Sequence, residues 1–215
     1  MRFKLLTSIV LFGFGSASLN TFAANDFIFR GTAAYVSPND SSGRVLGNDG
    51  VSVDSEVGVG LAVTYMFDDH WGFEVLAATP FRHNIDGTGE LGGLAIGETK
   101  QLPPTFSVTY TWGDDVLYHV GGGLNYTTFF EEKTTTALTS ALGANSTSLE
   151  LEDSTGFAFQ FGFDVPISES WDFSAGIYYM DIDTTADVYI NGAKVVSVDV
   201  EIDPVVLTLG FGTRF

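Results

Sequence analysis

The residues able to do chemistry are few and scattered. Histidine occurs at positions 70, 83 and 119, and the chain has no cysteine. His83 has Asp86 close behind it, the start of a base–acid pair. Hydrolysis or acyl transfer also needs a nucleophile held against the base, and no serine is clearly placed to serve. His70 reads as a turn residue at the surface and His119 as a polar residue inside the fold. The stretch MDIDTTAD puts Asp181 and Asp183 on one face, where with loop acids they could hold a divalent cation. Acids in such a place are more often simply solvated, and no metal is expected. Gly121–Gly123 is no phosphate loop, because no Lys-Ser/Thr follows it. The sequon NST at 145–147 carries little. These residues argue against an enzyme and against a cofactor.

Charge excludes another class. The chain holds 27 acidic against 9 basic residues, a formal net charge of −18. Nucleic acid, which is bound through Lys and Arg on its phosphates, is therefore not an expected partner. Yet 45% of the residues are hydrophobic and 14% aromatic. High charge and high hydrophobicity in one chain require segregation along it.

The first 23 residues have the pattern of a secretory leader: Arg2 and Lys4, an apolar run, then small residues. Cleavage is expected after Ala23; cleavage after Ala24 would put Phe22 at a small-residue position. Residues 24–215 are expected to form one domain. No later run of about eighteen apolar residues offers a membrane helix. An exported chain without cysteine must be held by packing and hydrogen bonds alone.

The elements that would position any site are strands. Eight segments alternate with period two, so that successive side chains take opposite faces. Val57, Val59, Leu61, Val63, Tyr65 and Phe67 share one face, against Gly58, Gly60, Ala62, Thr64 and Met66. Phe157, Phe159, Phe161 and Phe163 oppose Ala158, Gln160, Gly162 and Asp164. The large apolar side chains always fall on one face, the small and polar ones on the other. A soluble barrel turns the large face inward; a transmembrane barrel turns it to lipid. The membrane reading is favoured by Trp71, Trp112 and Trp171, which stand beside three short turns as an interfacial girdle. It is favoured also by the alternation of short and long connections. Lipid cannot satisfy an open sheet edge, so the sheet must close. The expected fold is an all-β, eight-stranded antiparallel transmembrane barrel with short periplasmic turns and long extracellular loops. The segments 82–98 and 131–151 and the stretch around Asn191-Gly192 are read as loops, the second with room for a short helix. The last strand would pair with the first, leaving Phe215 at the periplasmic rim on the lipid side.

Eight strands leave a lumen that side chains can fill or that can hold one small ligand. By parity Met66, Leu76, Leu117 and Tyr178 point into it, an apolar constriction that would resist water and ions. Towards the turns the inward residues become charged or polar: Arg30, Glu74, His119, Asp164, Asp172 and Arg214. Buried charges must be paired or solvated. An ion-pair cluster blocking the periplasmic half of the lumen is expected, which would send an apolar solute sideways through the wall.

The motifs FRGTAAYVSP (29–38), TYM (64–66), EVLAATPFRHNI (74–85), LPPT (102–105), GGGLNYTTFF (121–130) and YYMDIDTTA (178–186) occur in order across the mature chain. In them it resembles the OmpW family of small outer-membrane β-barrels. The resemblance implies an outer-membrane protein of a Gram-negative bacterium with a largely hydrophobic lumen, associated with passage of small hydrophobic molecules. It implies a lumenal gate at Leu76 and Tyr178, with Tyr178 in place of a tryptophan, and a terminal aromatic, here Phe215, read by the outer-membrane assembly machinery. The expected partners are that machinery, outer-membrane lipid and lipopolysaccharide, and a small hydrophobic solute. The alternative is a plugged structural barrel whose loops act as a receptor or adhesion surface, for instance for a phage or toxin.

Overall fold

The computed structural model describes residues 27–39, 50–89 and 92–214. The leader and Phe215 lie outside the described residues. The strands are β1 (Phe27–Ser37), β2 (Val51–Val53), β3 (Glu56–Met66), β4 (Trp71–Ala78), β5 (Phe81–Gly87), β6 (Ala95–Leu102), β7 (Thr105–Trp112) and β8 (Leu117–Thr134). After helix α1 (Thr136–Ala141) follow β9 (Thr147–Leu151), β10 (Ser154–Pro166), β11 (Trp171–Met180), β12 (Asp183–Ile190), β13 (Ala193–Glu201) and β14 (Val205–Arg214).

Eight of these strands close a ring in the order β1-β3-β4-β7-β8-β10-β11-β14, every neighbour antiparallel. Closure comes from β14 against β1, where Arg214 faces Ile28 and Val205 faces Ser37. No helix among the described residues is long and apolar enough to cross a membrane; the strands cross instead.

The two faces have the sense that lipid demands. Val57, Val59, Leu61, Phe106, Val108, Phe157, Phe159, Phe161, Leu207, Leu209 and Phe211 are each 45–64% exposed. Their small and polar strand neighbours Ala62, Thr64, Ser107, Thr109, Ala158, Gln160 and Thr208 are buried. A water-soluble barrel would show the reverse. At the end of the short turns, Trp71 packs on Tyr110 at 5.0 Å, Tyr110 on Trp112 at 6.1 Å and Trp112 on Tyr118 at 5.9 Å. Trp171 begins β11 at the same end, beside its own turn. That turn region is tied locally: Asp68 accepts from the backbone N–H of His70 and Trp71 at 2.8 and 2.7 Å. Those N–H groups hold its carboxyl below the ordinary carboxylate range.

At the opposite end the expected loops are largely strands. Segment 82–98 is most of the hairpin β5–β6, with Phe81, His83 and Ile85 buried and Arg82, Asn84 and Asp86 exposed. It extends the wall because β8, at 18 residues, outruns β7 and pairs with β6 from Thr128 onward. Segment 131–151 holds the end of β8, then α1 and β9. Asn191-Gly192, both at positive φ (51° and 82°), turns β12 into β13, as a two-residue hairpin turn requires. With β9 these form a separate three-stranded sheet. The polar, glycine-rich composition of these segments resembles loop, but their alternation has period two and continues the barrel's own pattern.

Candidate functional site in the barrel lumen

The lumen divides into two levels. Towards the extracellular end, Val36, Leu76, Phe81, Phe129, Tyr178, Met180, Ile182 and Val206 belong to one contiguous buried apolar cluster. Leu76 and Tyr178, exposed 7% and 4%, are both part of it. Met66 and Leu117, expected beside them, are not. Met66 pairs with Gly72 next to the Trp71 turn, and Leu117 pairs with Asp164. Parity assigns a face and says nothing of height, and these two side chains sit near the periplasmic end. Phe81, Phe129 and Ile182 are not among the residues expected here, and Met180, which shares the inward parity of Tyr178, joins the cluster as well. Phe81 shares its parity with outward-facing Trp71, and the break at Thr79-Pro80 reverses its direction.

Below the apolar level lies a network of charges. Arg30 on β1 reaches Asp164 on β10 at 2.7 Å and Glu74 on β4 at 3.1 Å. It thus ties together strands that are not neighbours in the ring. Its Nη1 also donates to Thr64 Oγ1 at 2.9 Å, and the Thr64 hydroxyl donates to Glu74 at 2.8 Å. Nearer the rim, Arg214 meets Asp172 at 3.2 Å and Asp164 at 3.8 Å. Five of the six residues expected in this cluster are joined by ion pairs. The sixth, His119, is buried beside them, and neither ring nitrogen has a hydrogen-bond partner in the protein. The two levels touch where Tyr178 Oη donates to Glu74 Oε1 at 3.4 Å.

The other histidines serve structure. His83 Nε2 meets Gln101 Nε2 at 3.0 Å and His83 Nδ1 meets the Asp54 carbonyl at 2.8 Å. An amide nitrogen can only donate, so Nε2 accepts and Nδ1–H donates to the carbonyl. His70 Nδ1 lies 3.0 Å from the Thr111 carbonyl. At the outer rim Asp203 joins Asp181 and Asp183, with one carboxylate oxygen from each within 4.8 Å of the others. Partial burial and these neighbouring carboxylates push the Asp183 carboxyl up.

The wall has a seam beside the apolar level. Pairing of β4 with β7 ends at Leu76 opposite Thr105, while β4 stays paired with β3 as far as Ala78. Beyond that last pair, Thr79-Pro80 on one side and Pro103-Pro104 on the other lie outside strands. Proline has no N–H to give to a ladder. The carbonyls of Pro103 and Pro104 are held instead by Asn125 Nδ2, at 3.2 and 3.3 Å.

The closed, lipid-facing eight-stranded barrel matches a known architecture. The model of the OmpW family covers residues 23–215. The chain belongs to the OmpW family. Over 212 residues it is 45% identical to Outer membrane protein W of Vibrio cholerae serotype O1, covering 96% of each protein. The crystal structure of the outer membrane protein OprG from Pseudomonas aeruginosa superposes with a TM-score of 0.80 at 40% identity, covering 89% of this chain and 96% of that one. The solution structure of the Escherichia coli Outer Membrane Protein W gives a TM-score of 0.60 at 38% identity, with 90% and 100% covered. This OmpW-family barrel is therefore a protein of the Gram-negative outer membrane.

Proposed function

We propose that the barrel passes small hydrophobic molecules across the outer membrane, and that they leave sideways through the wall. The carrying observation is the continuous apolar cluster in the outer part of the lumen, bounded below by the Arg30–Glu74–Asp164 network. A polar pore would line its lumen with solvated groups. An apolar constriction resists ions and water and accepts an apolar solute. The buried ion pairs oppose straight passage, because an apolar molecule would have to separate charges that each cost several kcal/mol to leave unpaired, at about 3–5 kcal/mol per broken pair.

The lateral route is supported by the seam. Leu76 is the last β4 residue paired with β7, so the apolar constriction at Leu76 and the first unpaired stretch of wall are adjacent. Opening there breaks few hydrogen bonds, since Pro80, Pro103 and Pro104 donate none. A solute displacing Leu76 would meet the bilayer through the gap.

The test is uptake by cells of a Gram-negative host lacking its own family member. Their lipopolysaccharide leaflet slows apolar solutes, so a conduit is measurable. Naphthalene and a small sugar are compared with and without the barrel. The proposal requires faster entry of naphthalene alone. Equal acceleration of both solutes would mean a polar pore, and acceleration of neither would mean a closed barrel.

A further inference from the structure

The floor of the apolar level carries a set of hydrogen-bonding groups that the protein leaves unused. Gln160 and His119 are 4% and 3% exposed, and Thr109 2%. Both amide atoms of Gln160, both ring nitrogens of His119 and the hydroxyl of Thr109 are buried without a partner. Nearly all buried polar groups in folded proteins are satisfied, by protein, water or ligand. A group left unsatisfied costs about 1–3 kcal/mol. Five such atoms together offer hydrogen bonds that water or the polar head of a ligand would take.

The register shows that they are together. Gln160 is the direct strand neighbour of Tyr178 on one side and of Gly121 on the other, and Gly121 is the neighbour of Thr109. One step towards the periplasm, His119 faces Gly162. One step outward, Ala158 faces Met180 in the apolar cluster. The orphaned polar atoms thus form a short rung that starts at Gln160 beside Tyr178, at the foot of the apolar level, and descends to His119 beside the ion pairs. Two glycines make room for it: an ideal Cβ on Gly121 would lie 2.9 Å from Gln160 Nε2, and one on Gly162 would lie 2.5 Å from His119 Nε2. Each polar side chain lies against the wall where a larger residue would displace it.

We infer that this rung is a head-group subsite, and that the solute is a small neutral amphiphile rather than a plain hydrocarbon. Its tail lies among Leu76, Tyr178 and Met180, and its head exchanges hydrogen bonds with Gln160, Thr109 and His119. The inference rests on the conduit reading above and names the substrate class within it. The carboxamide supplies two donors and an acceptor, the hydroxyl one donor and an acceptor, and a neutral imidazole one of each. That mixture suits a hydroxyl or a primary amide, which need both kinds of partner. A carboxylate head is disfavoured, because Glu74 and Asp164 stand at the next level while Arg30 is already committed to both. The subsite would hold the head on the turn side of the seam, because Thr109 lies nearer the turn than Thr105 does, and leave the tail beside the seam.

The test uses the refolded barrel in lipid nanodiscs, with methyl-labelled Met and Leu and ¹⁵N-labelled Gln side chains. Heptane and heptan-1-ol are titrated, each corrected for its partition into the lipid. The Met180 methyl reports the apolar level and the Gln160 side-chain amide reports the rung. Heptan-1-ol should move both signals with one midpoint and bind about fivefold tighter than heptane, the gain of a hydrogen bond. Heptane should move Met180 alone. In Gln160→Leu the preference should vanish while heptane binding persists, which also shows that the variant is folded; His119→Phe should weaken the preference in the same sense. If both solutes bind equally, or if heptan-1-ol leaves Gln160 unmoved because water alone serves the rung, the subsite is refuted. If neither solute moves Met180, the conduit reading falls with it.

Discussion

The Tyr178 hydroxyl donates to Glu74 Oε1 across 3.4 Å, from β11 to β4. One side chain therefore belongs to both levels of the lumen. Its ring is part of the apolar cluster, and its oxygen ends the charge network. A tyrosine here can close the lower side of the apolar level without leaving a buried carboxylate oxygen bare. Tyr178→Phe keeps the ring and removes that hydrogen bond. It should lower stability by about 1.5–3 kcal/mol, as expected for a bond to a charged group, and leave naphthalene entry in place. Urea unfolding in lipid and the uptake assay read the two effects separately.

Removing Arg30 should be far more damaging than removing the whole network. Arg30→Met leaves Glu74 and Asp164 buried and unpaired, at a cost of about 3–5 kcal/mol. Adding Glu74→Leu and Asp164→Leu removes the stranded charges and should restore most of the loss. Equilibrium unfolding of the single and triple variants checks this; equal destabilisation by both would contradict it.

The orientation of the wall makes an opposite demand on the outer face. Phe159 is 60% exposed near the middle of β10. Phe159→Lys should cost about 2–4 kcal/mol in a bilayer, because the charge lies near the midplane. The same substitution at Arg82, an exposed cation of β5 beyond the lipid-facing band, is Arg82→Lys and should cost nothing measurable.

The acidic rim predicts a pH effect of definite sign. Asp183 has a raised pKa in the folded protein, from partial burial first and from Asp203 and Asp181 next. A carboxyl raised on folding favours the folded state while protonated, and that contribution is lost as pH rises through the folded value. Asp183→Asn should therefore raise stability at neutral pH, with the gain fading as the medium is acidified below the ordinary carboxylate range. Unfolding midpoints measured across that window check it; a gain that grows on acidification would contradict it.

The membrane-crossing pattern was plain in the sequence because each strand has two solvents, lipid and lumen, and period two separates them. The same alternation in β5, β12 and β13 was hidden by polar composition, since these strands stand beyond the bilayer and carry no apolar outer face. Charge pairing across the lumen was legible in type: Arg30, Glu74 and Asp164 are ionised groups on an inward face and had to meet. Height was not legible. Met66 and Leu117 share the inward parity of Leu76 and Tyr178, yet strand tilt and register put them near the periplasmic end. Phe81 is turned inward by the break at Thr79-Pro80, which parity does not carry across, whereas Met180 shares the inward parity of Tyr178 and only its height, beside Ala158, was hidden.

The central claim is that the apolar level at Leu76 conducts apolar solute. The most direct measurement is the rate of naphthalene entry into cells carrying the parent or Leu76→Asp, with sugar entry and the amount of folded barrel in the membrane measured alongside. A carboxylate placed among Tyr178, Met180 and Phe129 makes that level polar without removing the wall. The account predicts that naphthalene entry falls towards the rate of cells without the barrel, while the folded amount is kept. Undiminished naphthalene entry through a folded Leu76→Asp barrel would contradict it.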